Sequence, residues 1–145
     1  MTAPIFVDTN VLIYAIDLAD PKKQIAARGW LDEMWKSKLG RLSFQVLQEF
    51  YSMVTRKDSS ARENARATVR ELLAWRPVPI GTDTIERAWK IQDRYQLSFW
   101  DSLIVAAAKS ASCRFLLTED LQSGQDFDGL LVVNPFLRDP ASLIP

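Results

Sequence analysis

Residues 4–17 read PIFVDTNVLIYAID, and the parsing of this stretch decides the fold. Ile5, Phe6 and Val7 have the aromatic and β-branched character of a short buried strand. Val11 to Ile16 continue in almost unbroken apolar residues. Between the two runs stand Asp8, Thr9 and Asn10, three polar side chains at the seam of two elements that both belong in a core. A carboxylate at such a seam is either the N-cap of the following helix or part of a site at the end of the strand.

Outward from this seam the chain alternates short strand-like runs with longer helical ones. A first strand over 4–8 leads into a helix that starts at Thr9 or Asn10. Pro21 lies in the first turn of a second helix, where Ile25, Leu31, Met34 and Trp35 recur near helical spacing and which Gly40 ends. Arg41 to Ser43 is short enough for a second strand. A helix from about Gln45 to Lys57 places Val46, Leu47, Phe50 and Val54 on one face. Ser60 suits the N-cap of a helix to about Trp75. Pro77 to Ile80 reads as a third strand closed by Gly81. Thr82 or Asp83 can cap a helix striped by Ile85, Ala88, Trp89 and Tyr95, and Ser98 can cap another carrying FWDSLIVAAAKSA. Phe115 to Thr118 and Leu130 to Val133 complete the strands. This order predicts an α/β fold, a central mostly parallel sheet of four to five strands with helices on both faces. Residues 1–145 are expected to form a single domain. Ligands of such sheets sit outside the carboxyl ends of the strands, which is where Asp8 and Thr118-Glu119-Asp120 would lie.

Composition narrows the chemistry. The 145 residues hold 48% hydrophobic and 25% charged side chains, as expected of a globular protein. No apolar run reaches bilayer length and no signal peptide is apparent, and one cysteine, Cys113, fits a reducing compartment. A cytoplasmic protein without membrane attachment is expected. The chain has no histidine, which excludes Ser-His-Asp and Cys-His catalysis and every histidine metal site. Any metal must therefore be held by oxygen, which favours Mg²⁺ or Mn²⁺ over Ca²⁺. Basic and acidic residues balance at 18 each, so nucleic-acid binding would have to use a local surface.

Four acids interrupt apolar context. Asp8 ends the first strand, Glu49 lies inside the third helix, Asp101 sits between Phe99-Trp100 and Leu103-Ile104-Val105, and Asp120 follows Phe-Leu-Leu-Thr. Only a fold can unite them. Taken singly, each has an ordinary explanation: a cap, a helix surface, a dipole partner, a turn. Taken together, converging carboxylates repel, gain protons and are relieved by a divalent cation. One or two Mg²⁺ or Mn²⁺ ions in a carboxylate pocket are the expectation, with a metal-activated water able to hydrolyse a phosphodiester.

VDTNVLIYA, the isolated Glu49, WDSLIVAAA and LLTEDLQ together resemble a PIN domain, and more narrowly the VapC-type toxin ribonucleases of toxin–antitoxin pairs. The likeness runs from about residue 5 to residue 135. It implies a PIN-like fold and a Mg²⁺- or Mn²⁺-dependent endoribonuclease that acts on RNA, forms a homodimer and is held inactive by a cognate antitoxin protein. It further implies Asp8 and Asp101 as principal metal ligands, Glu49 as the third acid and Asp120 as the fourth, with Glu119 a possible contributor. Thr9, Asn10, Ser102 and Thr118 are expected to orient these carboxylates or the scissile phosphate. A second acid that the family often carries three residues after Asp120 is Ser123 here, which leaves the number of ions open.

Arg62, Arg66 and Arg70 share one face of the fourth helix and would either track an RNA backbone or form a solvated surface. Trp30, Trp35, Trp75 and Trp89 read as core or interface anchors, and Trp100 as packing, with base stacking beside Asp101 the alternative. Trp30, Met34 and Trp35 mark the second helix as a surface for an antitoxin or a second copy. Cys113 reads as structural. A haloacid-dehalogenase-like phosphatase is disfavoured, because Asn10 stands where a second aspartate is needed. The competing class is a non-catalytic metal- or partner-binding α/β module.

Overall fold

The computed structural model describes residues 3–145. Ile5, Phe6 and Val7 are fully buried and form β1 (Ile5–Val7), an inner strand of a four-stranded parallel sheet. The sheet order is β2-β1-β3-β4, with β2 at Gly40–Arg41, β3 at Phe115–Leu117 and β4 at Leu131–Val133. Ile5 pairs with Gly40 on one side and Phe115 on the other, and Phe115 pairs with Leu131. Parallel neighbours need crossovers, and among the described residues six helices flank the sheet. They are α1 (Thr9–Ile16), α2 (Pro21–Ser37), α3 (Phe44–Lys57), α4 (Arg62–Leu72), α5 (Thr82–Tyr95) and α6 (Phe99–Ser110). In one pack α1 touches α2 and α3, and α3 touches α4; α5 and α6 form a pack of their own.

The chain leaves β1 for β2 on one side and later adds β3 and β4 on the other. The direction of growth therefore reverses between β1 and β3, which opens a crevice at their carboxyl ends. Two hydrogen bonds extend the ladder to that edge: Asp8 N–H donates to the Leu117 carbonyl (3.1 Å) and Thr118 N–H to the Val133 carbonyl (3.1 Å). Asp8 and Thr118 are thus fixed by backbone before their side chains do anything. Every residue of α6 from Ser102 to Ala108 is buried, so α6 is a core helix rather than an amphipathic one. None of the described helices is long and apolar enough to cross a membrane.

Several local expectations need correction. Pro77 to Ile80 is not a strand: Val78 alone bridges to Ser43, because Pro77 and Pro79 on either side lack the N–H groups a ladder requires. The second strand is Gly40–Arg41 rather than 41–43, since Ser43 is taken as the N-cap of α3 and its hydroxyl accepts from Val46 N–H. Ser60 does not cap α4. Asp58 captures the Ser60 N–H instead, which produces a 3₁₀ turn at Ser59–Ala61, and α4 gives way to a second 3₁₀ turn at Leu73–Trp75. Gly81, not Thr82 or Asp83, caps α5, and its N–H donates to the Thr84 hydroxyl. On α2, Ile25 is 72% exposed, whereas Trp30 and Met34 are core. The Trp30 indole N–H donates to the carbonyls of Pro135 and Arg138, so Trp30 and Met34 cannot belong to a partner surface.

Candidate active site

The crevice is built on Asp8. As N-cap of α1, its Oδ1 accepts from Thr9 N–H (2.7 Å), and its Oδ2 accepts from the Thr118 hydroxyl (2.9 Å). Thr118 is wholly buried, and its hydroxyl also accepts from the Asn10 amide (2.8 Å) and from Asp120 N–H (3.1 Å). One donor and both lone pairs of that hydroxyl are in use, so the Asp8 carboxylate cannot rotate without breaking a buried bond. The Asn10 amide nitrogen lies within reach of Asp8 Oδ2 (3.4 Å) and Asp120 Oδ2 (3.1 Å), while its Oδ1 accepts from Glu119 N–H (3.3 Å). Asn10 thereby ties the end of β1 to the loop after β3.

Glu49 reaches the same crevice from α3. Its Oε2 accepts from the Thr9 hydroxyl (2.9 Å) and its Oε1 from the Gln45 amide (2.9 Å). Asp101 arrives in the first turn of α6, where the Ser98 hydroxyl accepts its backbone N–H (3.1 Å). The four acids feel one another. Burial pushes the Asp8 carboxyl up to about 7, against the hydrogen bonds from Thr9 and Thr118 and with help from the charges of Asp120 and Glu49. Asp101 is raised by burial as well, opposed by a hydrogen bond from Ser98 to its carboxylate and reinforced by the charges of Asp120 and Glu49.

Other expected residues stand elsewhere. Ser102 is buried, but its hydroxyl donates to the Ser98 carbonyl (2.8 Å) one turn back, so it orients no carboxylate. Glu119 is engaged by Lys23 Nζ (2.8 Å), which also lies over the rings of Tyr14 and Phe136. Burial alone would raise Glu119, yet the hydrogen bonds from Lys23 and Tyr14 hold it below the usual carboxylate range. Arg62, Arg66 and Arg70 do form an exposed face, but Arg66 is paired with Glu63 (2.7 Å) and bonded to the Tyr51 hydroxyl. Trp100 is 64% exposed, which corrects its assignment to packing; Trp89 is likewise a surface residue. Burial pushes the Cys113 thiol up to about 12, where it is inert.

Gln45 and Lys23 were not anticipated. Gln45 stands one helical turn before Glu49, a spacing at which side chains meet, so the sequence did hold that signal. Lys23 gave none, because its partner is 96 residues away.

The donors suit a hard divalent cation: only carboxylate, amide and hydroxyl oxygens are present, and the carboxylates are mutually repelling. The buried Oε1 of Gln45, beside Glu49, has no hydrogen-bond donor, as expected where a hydrated ion or its water belongs. No three acids among the described residues converge in metal-holding geometry.

The fold and this crevice define the class. The chain belongs to the PIN domain family, whose model matches residues 5–124. Solved structures share the fold. A chain from a toxin–antitoxin complex from Klebsiella pneumoniae superposes with a TM-score of 0.62 at 24% identity, covering 92% of this chain and 98% of that one. VapC20 of Mycobacterium tuberculosis, described as a sarcin–ricin-loop-cleaving toxin, gives 0.60 at 24% identity over 77% and 86%. VapBC2 from Rickettsia felis, bound to a DNA fragment from its promoter, gives 0.58 at 15% identity over 88% and 96%. No curated protein matches the chain.

Proposed function

We propose that this PIN domain is a divalent-metal-dependent endoribonuclease and the toxin of a VapC-type toxin–antitoxin pair. The observation that carries the proposal is the gathering of Asp8, Glu49, Asp101 and Asp120 around one crevice, with Asp8 buried and driven to about 7. A buried carboxylate as costly as Asp8 is retained where it binds or transforms something. The PIN family supports a nuclease, and the toxins among the solved structures support the finer reading.

Asp8, Asp101, Glu49 and Asp120 would hold Mg²⁺ or Mn²⁺, which supplies charge neutralisation at the phosphoryl oxygens and a lowered pKa for water. The chain's own residues prepare that site. Thr118 and Thr9 N–H aim the Asp8 carboxylate, Asn10 keeps Asp120 beside it, and Thr9 with Gln45 fixes both oxygens of Glu49. Without a cation these charges repel the RNA backbone, so productive binding of substrate at the crevice is itself metal-dependent. An antitoxin protein as partner, a homodimer as assembly and the cytoplasm as location belong to the same proposal. Leu18 and Met53, exposed around a groove of about 300 Å³ between α1 and α3, offer apolar surface for a partner.

The test is RNA cleavage by purified protein in EDTA, Mg²⁺ or Mn²⁺, with end mapping of the products. Wild type should cut only with metal, and Asp8→Asn or Asp101→Asn should lose at least about a hundredfold of the rate, the scale of one transition-state contact. Full activity of either variant overturns the assignment. The competing non-catalytic module draws on the lack of a three-acid ion cage, and metal binding without cleavage across a broad RNA set would favour it.

A further inference from the structure

At the opposite end of the strands, beside Gly40, lies a cavity of about 380 Å³ that the carboxylate crevice does not use. Trp35, Lys38, Gly40, Arg41, Trp75 and Arg76 line it together with Ala74. Three cations therefore face one cavity, and no carboxylate is among its lining residues. No ion pair engages Lys38, Arg41 or Arg76 among the described residues. The volume falls in the ~300–1,000 Å³ range of small-molecule sites.

Its aromatic wall is fixed in place. A Cβ on Gly40 would stand 2.6 Å from the Trp75 ring, so only glycine lets that indole approach β2 so closely. Trp35 tilts against Trp75 with ring centroids 5.1 Å apart and remains 40% exposed. Arg41 is anchored through one nitrogen, which donates to the carbonyls of Lys38 and Gly40, leaving the rest of its guanidinium for a ligand.

The backbone makes the cations harder to dismiss as ordinary surface. Lys38 closes α2 and Arg76 closes the 3₁₀ turn after α4, both in the left-handed region with φ of 62° and 53°. Glycine is the favoured residue in that conformation. Lys38 and Arg76 partly offset the negative ends of their own helices, and Arg41 on β2 adds a third cation that no helix end opposes.

We propose that this cavity is a single-stranded RNA subsite in which a base stacks on Trp35 and the neighbouring phosphate meets Lys38, Arg41 and Arg76. Stacking on an indole tolerates any base, and cations read the backbone, so the subsite adds affinity without sequence choice. The ribonuclease proposal makes substrate RNA its natural occupant; the binding itself does not depend on cleavage.

The backbone also supplies the test. Lys38→Gly and Arg76→Gly remove the charges at positions where glycine relieves φ strain, so the double variant should melt no more than a few degrees from wild type. Binding of a fluorescein-labelled single-stranded RNA octamer is followed by anisotropy in EDTA, where no cleavage occurs. The double variant should bind about tenfold or more weakly, with the slope of log K against log salt shallower by about 0.7, the value of one lost phosphate contact on a single strand. Trp35→Ala should weaken binding about five- to tenfold, and AMP should displace the octamer better than inorganic phosphate. Affinity within twofold of wild type and an unchanged slope in the double variant overturn the proposal. So does an unaffected Trp35→Ala with phosphate and AMP competing equally, which would mean an anion site without a base. A wild type that binds through these residues but cleaves no RNA in Mg²⁺ keeps the subsite and removes the nuclease. A cleaving wild type whose double variant binds normally does the reverse.

Discussion

Asp8 sets a pH signature for the crevice. Its folded pKa of about 7 lies above the ordinary 3.8, so between those values the folded state holds a proton that the unfolded state has released. The sign follows: stability falls as pH rises through this window and stays lower above it. In EDTA the thermal midpoint should drop between about pH 4 and pH 7 and level off above, and Asp8→Asn should flatten that slope whatever its own absolute stability. A wild-type midpoint that climbs through neutrality would contradict the buried, strained carboxylate. Thr118 makes the complementary point. Thr118→Val keeps the shape of the side chain but strips Asp8, Asn10 and Asp120 of one partner each, and should cost about 1–3 kcal/mol in denaturant unfolding. A loss under about 0.5 kcal/mol would mean that this hydroxyl is not holding the crevice together.

Among the elements, α6 couples folding to chemistry most directly. Ser98 is both the cap of the helix and the residue that fixes Asp101 N–H, so Ser98→Ala should lower stability by about 1 kcal/mol and cleavage with it. Ser98→Thr, which restores a capping hydroxyl, should recover both; recovery of stability alone would separate the cap from the site. This helix was also among the most legible in the sequence, because its cap, its apolar run and the acid in its first turn are all local. So was β1, whose polar seam announced the crevice. Where local rules failed, a nearby competitor had won: Asp58 over Ser60 for a free N–H, and prolines over β propensity at 77–80. The crevice was legible as a set of acids out of place. Its wiring was not, since the bonds of Asn10 and Thr118 join residues more than a hundred positions apart and no spacing rule reaches that far.

For the whole molecule, a formal net charge of zero means that no long-range field gathers RNA. Approach has to rely on local features and on neutralising the crevice, and metal should therefore register as global stability. Saturating Mg²⁺ should raise the melting temperature of wild type more at about pH 8 than at about pH 6, where protons compete for Asp8; at a hundredfold excess over Kd the stabilisation reaches up to ~3 kcal/mol. Asp101→Asn should lose most of that increment. Equal shifts in wild type and variant would place the ion elsewhere.

The linear order of the crevice also acts as a timer. Asp8, Glu49 and Asp101 are all synthesised before Thr118, yet β1 has no β3 to pair with, and Asp8 no hydroxyl to hold it, until that last segment is made. At about 5–20 residues per second, roughly 1–3 seconds separate Asp101 from Thr118, and in that interval three of the four acids exist with no crevice between β1 and β3 to hold them. The crevice can therefore close only after Phe115 to Thr118 has been made, however early its first three acids appear.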